Sequence, residues 1–281
     1  MSVHLLYQDF LRFLEALSAS GEDPWLLYQR HYLDRHEAVL RAWWDQCLGL
    51  PEDSWADRVR RVRPPEYGLL SLLVQQTDLD GVSRDALGRC QAVLPLAPEP
   101  EVYLMVGFFS PDGFAFEVSG RWAIGIGLER LASARPIPIL IAHEYAHCYR
   151  RRFGRPGTLG ERLAEEGFAV ELSSSAFPER PEHEHLLMRP GQVAVIRDYE
   201  PALWRAVQAL LHSEDETIIA RMVYGRASDG WPSRAGLYLG WRLVRAFLGA
   251  GAGGFEAPAS QVLAWAPETV VGRCDGRARA G

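Results

Sequence analysis

The segment from Ile139 to Tyr149 contains two histidines four residues apart, His143 and His147, with Glu144 directly after the first. On an α-helix, side chains at positions i and i+4 lie on the same face, so both imidazoles can reach one ion. Imidazole nitrogen is a common zinc ligand, and a carboxylate beside the ion can act as a base toward water. The H-E-x-x-H spacing therefore predicts a metal site, with His143 and His147 as ligands and Glu144 as the catalytic carboxylate.

A third ligand is available further along the chain. Eighteen residues separate the second histidine from Glu166, which lies in a segment whose apolar spacing predicts a helix over residues 160–175. Two antiparallel helices joined by a loop at residues 153–159 would bring this carboxylate opposite the imidazoles. Glu165 is the rival ligand, but it lies about 100° around the helix from Glu166. Glu161 is a candidate hydrogen-bond partner for a ligand histidine.

The residues on either side of the motif predict that the histidines lie within a helix. Residues 137–141 are apolar, and Pro136 and Pro138 suit a helix start, where a missing amide costs little. Gly154 can end the helix, because glycine readily adopts the left-handed conformation found there. In the later segment, Gly167 is small enough to allow the two predicted helices to approach closely.

Tyr238 is the residue predicted to stabilise the negative charge that develops on a peptide carbonyl during hydrolysis. It lies in a segment of helical pattern, where Gly236 and Gly240 allow a close approach to the site. An ordinary packing role is the alternative for Tyr238. The lesser candidates for this donor are Tyr145, Tyr149, His185 and His212.

The complete pattern resembles that of the gluzincin zinc peptidases, in which eighteen residues separate H-E-x-x-H from a glutamate. The segments HEYAH and EEGFA are more closely similar to a bacterial family of predicted zinc-dependent proteases, and the likeness extends loosely over residues 102–271. The resemblance implies a zincin-like fold with His143, His147 and Glu166 as metal ligands and Glu144 as the catalytic carboxylate. The chain has no G-x-M-E-N element for binding a free amino terminus, so aminopeptidase specificity is not implied.

A second resemblance, to stress-response regulatory peptidases, is weaker. It rests on the H-E-x-x-H motif and on the later sequence Phe168-Ala-Val-Glu-Leu172 with Pro178. The acidic residues that precede this element in those peptidases are replaced here by Arg162 and Ala164.

The chain as a whole predicts an α+β fold that is mostly helical, with a small mixed sheet. The strand-like runs are residues 101–109, 113–118 and 121–128. In the last run large apolar residues alternate with alanine and glycine, so one face is packed and the other nearly bare. We expect this run to be the edge strand preceding the active-site helix, with its open backbone available to an extended peptide. Glycines that permit close packing are the alternative.

Proline-rich segments indicate the domain organisation. Residues 1–97 are predicted to be a helical N-terminal region, residues 98–271 the zincin-like metallopeptidase domain, and residues 272–281 a flexible tail. The first boundary rests on three prolines between residues 95 and 100.

Composition narrows the class of protein. The chain has 281 residues, 48% of them hydrophobic and 23% charged, which is typical of a globular protein. Its net charge of −6 argues against a nucleic-acid-binding surface. No apolar run is long enough to span a membrane. The first twenty residues form an amphipathic pattern rather than a signal peptide, and the four cysteines are scattered, so we expect a cytoplasmic protein.

The sequence therefore predicts a peptidase that uses one Zn²⁺ ion and Glu144 as general base. Its expected partner is a peptide or protein substrate, with neither nucleic acid nor membrane. Two alternatives stay open: a non-catalytic zinc-binding adaptor, and a narrow regulatory protease that acts on one partner protein. Sequence does not distinguish endopeptidase from exopeptidase action, nor does it give the cleavage preference or the oligomeric state.

Overall fold

The computed structural model describes residues 2–49, 51–108, 112–225 and 230–265. The strands are β1 (Val3–Leu5), β2 (Glu101–Met105), β3 (Gly113–Val118) and β4 (Arg121–Gly127). The helices of the first half are α1 (Tyr7–Ala19), α2 (Pro24–Tyr28), α3 (Asp34–Trp43), α4 (Glu52–Arg60), α5 (Gly68–Gln76) and α6 (Leu79–Val93). Those of the second half are α7 (Ile137–Arg150), α8 (Leu159–Ala176), α9 (Glu182–His185), α10 (Pro190–Gln208), α11 (Glu216–Val223) and α12 (Ala235–Gly249). Residues 259–265 are also helical.

Short segments of other helical types connect several of these elements. Residues Gln29–Leu33 and Trp44–Leu48 are π-helical, and Pro64–Tyr67 and Arg151–Phe153 are 3₁₀-helical. The α+β class predicted from the sequence is confirmed, because the described chain is mostly helical with a small mixed sheet. The predicted flexible tail, residues 272–281, lies outside the described residues.

The sheet has four described strands in the order β1-β2-β4-β3. β2 pairs in parallel with both β1 and β4, whereas β3 is antiparallel to β4. Ser119 and Gly120 connect β3 to β4, and both have positive φ angles, of 49° and 77°. Two such residues in a two-residue connection match the right-handed twist of a β-hairpin. The edges of this sheet are therefore β1 and β3.

The prediction that residues 121–128 form the edge strand is wrong. β4 covers most of this run and lies inside the sheet, between β2 and β3. The side that looked bare is covered, because a β-carbon on Gly125 would lie 2.5 Å from Cζ of Phe114 and 3.0 Å from the Trp43 ring. Glycine is thus required for ring packing, which was the alternative explanation of the pattern.

The contacts within the chain group it into two compact units, one ending at Cys148 and the other beginning at Tyr149. The first unit contains the sheet and a set of buried aromatic residues that includes Phe10, Tyr28 and Tyr32. In the second unit α8 packs against α12 and α11, around a core that includes Phe168 and Trp241.

The N-terminal region contains one strand that the sequence analysis missed. β1 is only three residues long, and it adds to the sheet by pairing with β2. The division near residue 148 groups residues by their contacts, and the domain boundary predicted between residues 97 and 98 stays a prediction. Within the described residues, no helix is both long and apolar enough to cross a membrane.

Candidate metal centre

Helix α7 carries both histidines of the motif on one face. The Nε2 atoms of His143 and His147 are 3.2 Å apart, and the two rings meet edge to face. The helix begins at Ile137, with Pro138 in its first turn, and Gly154 follows it with a φ of 92°. The start matches the sequence prediction, since proline suits the first turn, whereas Gly154 ends the 3₁₀ turn Arg151–Phe153 that follows α7, with a positive φ but an extended ψ of −178°.

Three potential ligand atoms lie together at this point. One donor atom from each of His143, His147 and Glu166 lies within 4.8 Å of the other two. Two of the residues are buried, with exposed fractions of 4% for His143 and 3% for Glu166, and His147 is partly exposed. The sequence prediction that these three residues come together is thus matched by the geometry, and the group could hold a metal ion.

The donor set fits zinc. A tetrahedral zinc ion bound about 2.0–2.1 Å from two imidazole nitrogens holds those nitrogens roughly 3.3 Å apart, close to the observed separation. Two imidazoles and one carboxylate are the ligands of many catalytic zinc sites, which keep a fourth position for water. Among the described residues the group has these three members and includes no cysteine, whereas structural zinc sites favour closed sets rich in cysteine.

Glu144 lies on α7 beside the first histidine and is 7% exposed. The backbone of Gly113, the first residue of β3, lies next to the Glu144 side chain. A β-carbon placed on Gly113 would lie 3.3 Å from Cγ and 3.4 Å from Oε1 of Glu144. Any larger side chain at position 113 would press on this carboxylate, so the glycine allows the strand edge to approach it closely.

The start of α8 explains Glu161, which the sequence analysis considered as a partner for a ligand histidine. Thr158 Oγ1 accepts a hydrogen bond from the Glu161 amide, and Glu161 Oε2 accepts from the amides of Gly157 and Thr158. This is a capping box, which satisfies amides that have no partner within the helix. Glu161 therefore fixes the start of the helix that carries Glu166.

Glu165, the rival ligand, has a different role. Its Oε1 accepts a hydrogen bond of 2.7 Å from Nε of Arg150, and both side chains are buried. Arg150 Nη1 also donates to the carbonyl oxygens of Phe255 and Ala257. Burial lowers the pKa of Arg150, while the neighbouring Glu165 carboxylate raises it. The pair fixes the side of α8 next to Glu166.

Gly167 follows Glu166 and allows a close contact between α8 and α12. A β-carbon on Gly167 would overlap the carbonyl group of Gly240, and one on Gly240 would overlap the carbonyl oxygen of Leu163. The backbones of α8 and α12 thus touch where the two glycines meet. The closeness of α8 to the histidine-bearing helix stays a prediction.

Tyr224 is a candidate site residue that the sequence analysis missed. Its hydroxyl donates a hydrogen bond of 2.9 Å to Oε1 of Glu166. It directly follows α11, far along the chain from the ligand it contacts. No spacing rule connects the two positions, so only the tertiary structure reveals the pair.

Tyr238, the predicted oxyanion donor, lies on α12 and is buried. Its hydroxyl donates to Oε2 of Glu200 at 2.9 Å. Burial, the hydrogen bond to Glu200 and the charge of that carboxylate raise the pKa of Tyr238 to about 12. The phenol is therefore protonated at neutral pH and able to donate, and its partner is Glu200 on α10.

Three of the four lesser candidates have partners of their own. Tyr145 donates to the carbonyl of Leu94 at the end of α6 and to Gln91. The ring of His185 contacts Ser173 Oγ and the carbonyl of Arg180. Tyr149 packs under the guanidinium of Arg152, and His212 is exposed. Cys148, which follows the second histidine, is buried with its Sγ 3.6 Å from the carbonyl of Ala123.

Comparison with known proteins assigns the family. Residues 118–263 match the profile of a family described as "Predicted Zn-dependent protease (DUF2268)". No curated protein and no solved structure matches the chain. The matched range contains the two histidines of α7, Glu144, Glu166, Tyr224 and Tyr238. Because the match covers just over half of the 281 residues, this protein belongs to the family of predicted zinc-dependent proteases.

Proposed function

We propose that this protein is a zinc-dependent peptidase of the gluzincin type, with a zincin-like catalytic region. His143, His147 and Glu166 hold one zinc ion, and Glu144 is the general base. The observation that carries this proposal is the convergence of the three ligand atoms within 4.8 Å, next to a buried glutamate in the same motif. A purely structural metal site would have no use for that glutamate.

The chemistry divides between the ion and the protein. Zinc at this site would polarise a peptide carbonyl and make water a better nucleophile near neutral pH. Glu144 accepts the proton of the attacking water and then delivers it to the amine that leaves, so the same carboxylate acts first as base and then as acid. The protein's own contribution is to hold this carboxylate beside the substrate, where the backbone of Gly113 already lies.

The substrate that fits this arrangement is an extended peptide. β3 is an edge of the sheet, and its first residue lies against Glu144. A peptide that adds to β3 as a further strand would place its backbone beside the catalytic carboxylate, with hydrogen bonds that do not depend on side-chain identity. The strand-addition role predicted for β4 is thus reassigned to β3.

Two tyrosines compete for the role of second donor to the reacting carbonyl. The sequence predicts Tyr238, whose hydroxyl is bonded to Glu200. The hydroxyl of Tyr224 donates a hydrogen bond of 2.9 Å to the candidate ligand Glu166, so Tyr224 is placed to orient that ligand, and Tyr238 stays the predicted donor to the carbonyl. A cytoplasmic location, a peptide or protein substrate, and the absence of nucleic-acid and membrane partners stay predictions from the sequence.

The experiment that tests the function combines metal analysis with a peptide-library digest of three variants. We expect the purified protein to contain one zinc ion and to cleave peptides. Glu144→Gln should keep the zinc and lose roughly 10²–10⁴-fold in hydrolysis, since general-base catalysis contributes about that much. His147→Ala should lose both, and Glu15→Gln, on the exposed face of α1, should lose neither.

The outcomes separate the alternatives. Equal cleavage by the parent and Glu144→Gln would show that this carboxylate is not the base. Zinc without cleavage of the library would favour the non-catalytic adaptor. Cleavage of a single protein partner, with the library untouched, would identify the narrow regulatory protease.

A further inference from the structure

The hydrogen bonds of β3 show which of its residues direct their backbone N–H and C=O groups away from β4. Gly127, the last residue of β4, donates to the carbonyl of Asp112, while Gly113 lies opposite Ile126. In an antiparallel pair, residues alternate between those bonded to the partner strand and those whose backbone groups point away. The carbonyl of Asp112 accepts a hydrogen bond from β4. The backbone N–H and C=O groups of every second residue after it, 113, 115 and 117, therefore point away from β4, toward the open edge of the sheet.

The outward groups of Glu117 are already occupied. The side-chain amide of Gln46 donates to the Glu117 carbonyl at 2.7 Å and accepts from the Glu117 amide at 2.9 Å. The two bonds reproduce those of a neighbouring strand at that residue. Among the described residues, no hydrogen bond reaches the outward groups of Gly113 or Ala115.

The segment that carries Gln46 is fixed to the sheet. Gln46 belongs to the π-helical turn Trp44–Leu48, and Trp43 just before it is fully buried against the ring of Phe114. Cys47 follows Gln46 in this turn. Burial and the nearby charge of Glu144 raise the pKa of its thiol to about 12. Gln46 is thus held in place by a packed aromatic contact.

These positions define a short open length of strand edge. It begins at Gly113, against Glu144, and ends at Glu117, where Gln46 is bound. At about 3.3 Å per residue, the distance along the strand between these two residues is roughly 13 Å. A paired peptide can therefore extend about three residues from the point beside Glu144 before it meets the Gln46 amide.

We propose that Gln46 limits the length of substrate on one side of the scissile bond, so that the peptidase cuts within about three residues of a chain end. The inference rests on the proposed function and defines its substrate class as short peptides and polypeptide termini. Gln46 is a specificity-determining residue in this scheme, because it competes with the substrate for the backbone of Glu117. The end that is trimmed, amino or carboxyl, follows from the direction in which the peptide pairs with β3.

The test is a map of cleavage positions in a library of peptides of about twenty residues. The zinc-loaded wild type should cut almost entirely within three residues of one terminus. Gln46→Ala should cut interior bonds about tenfold more, relative to terminal bonds, because two hydrogen bonds at Glu117 become available to a longer substrate. The matched control is Gln75→Ala, which removes an exposed glutamine on α5 and should give the wild-type map.

A position map separates specificity from a loss of stability, because a damaged fold lowers all cleavage without moving it along the peptide. Gln46→Ala should also unfold at the temperature of the wild type, since the side chain is exposed. Interior cleavage by the wild type, or an unchanged map in Gln46→Ala, would overturn the inference. Gln46 would then serve only to cover the backbone groups of an edge strand. An absence of all library cleavage by the zinc-loaded wild type would overturn this inference, because short peptides would not be the substrate class, while the peptidase function would then be decided by cleavage of a protein partner.

Discussion

Glu166 receives a hydrogen bond from Tyr224, and this contact gives a carboxylate on a helix a fixed orientation. The phenol donates to Oε1, which directs that oxygen toward the tyrosine. Groups that hydrogen-bond to metal ligands orient them and tune their affinity for the ion. We therefore assign Tyr224 a positioning role through Glu166.

Tyr224→Phe should weaken zinc binding by roughly 10–100-fold, the range usual for the loss of a group that orients a ligand. The measurement is a competition titration with a chromogenic chelator at fixed pH. Tyr238→Phe is the matched control, because its hydroxyl donates to Glu200, and it should leave the zinc affinity unchanged. The reverse pattern would return Tyr238 to the site and remove Tyr224 from it.

Glu165 and Glu166 show why neighbouring carboxylates on one helix have separate roles. Glu165 is bonded to the buried Arg150, whereas Glu166 joins the two histidines. Breaking a buried ion pair by removing one partner is costly, about 3–5 kcal/mol, because the other charge is left without compensation. The angular offset of about 100° between adjacent helical positions correctly separates the two residues.

At the scale of elements, the site's local geometry could be predicted and its surroundings could not. The positions of His143 and His147 follow from helix periodicity, which depends only on residues close in sequence. The convergence with Glu166 followed from two helices and a short loop. The bounds of α8 differ from the predicted 160–175 by one residue at each end.

Contacts between elements distant in sequence account for the wrong predictions. The alternating pattern of β4 predicts a strand with one face of small residues. The same pattern is compatible with two settings, an open edge strand or an inner strand whose small residues pack against aromatic rings. The pairing of β3 with β4, and the fit of Phe114 and Trp43 over Gly125, decide between them. Gln46 and Glu117 likewise lie 71 positions apart, and no periodicity connects them.

The crossing of α8 and α12 is the element contact most sensitive to substitution. Gly167→Ala should destabilise the protein by roughly 2 kcal/mol, because its β-carbon would overlap the Gly240 carbonyl and force the helices apart. The gain in helix propensity, about 1 kcal/mol, offsets only part of this cost. Denaturant unfolding measures the change.

Gly191→Ala is the control for the crossing prediction. Gly191 lies near the start of α10, where no atom comes within 4 Å of an added β-carbon. Its substitution should be neutral or stabilising by up to about 1 kcal/mol. If Gly167→Ala were equally harmless, the backbones of α8 and α12 could not be as close as described. Zinc affinity should fall with Gly167→Ala too, since Glu166 is the adjacent residue.

At the scale of the whole molecule, the proposed zinc site uses residues that are separated along the chain. Two ligands lie on α7 and the third on α8, beyond an intervening loop. The unfolded chain holds no such arrangement, so zinc binding favours the folded state. An ion present at about 1,000 times its dissociation constant stabilises the native state by roughly 4 kcal/mol.

Removal of zinc by a chelator should therefore lower the melting temperature by roughly 10 °C, since 1 kcal/mol corresponds to about 2–4 °C in a protein of this size class. Circular dichroism melts of the zinc-loaded and chelated protein give the shift. Glu144→Gln should show the full shift, because it keeps all three ligands, whereas His147→Ala should show almost none. A large chelator-dependent shift in His147→Ala would mean that zinc binds elsewhere and that the three-residue site does not hold the ion.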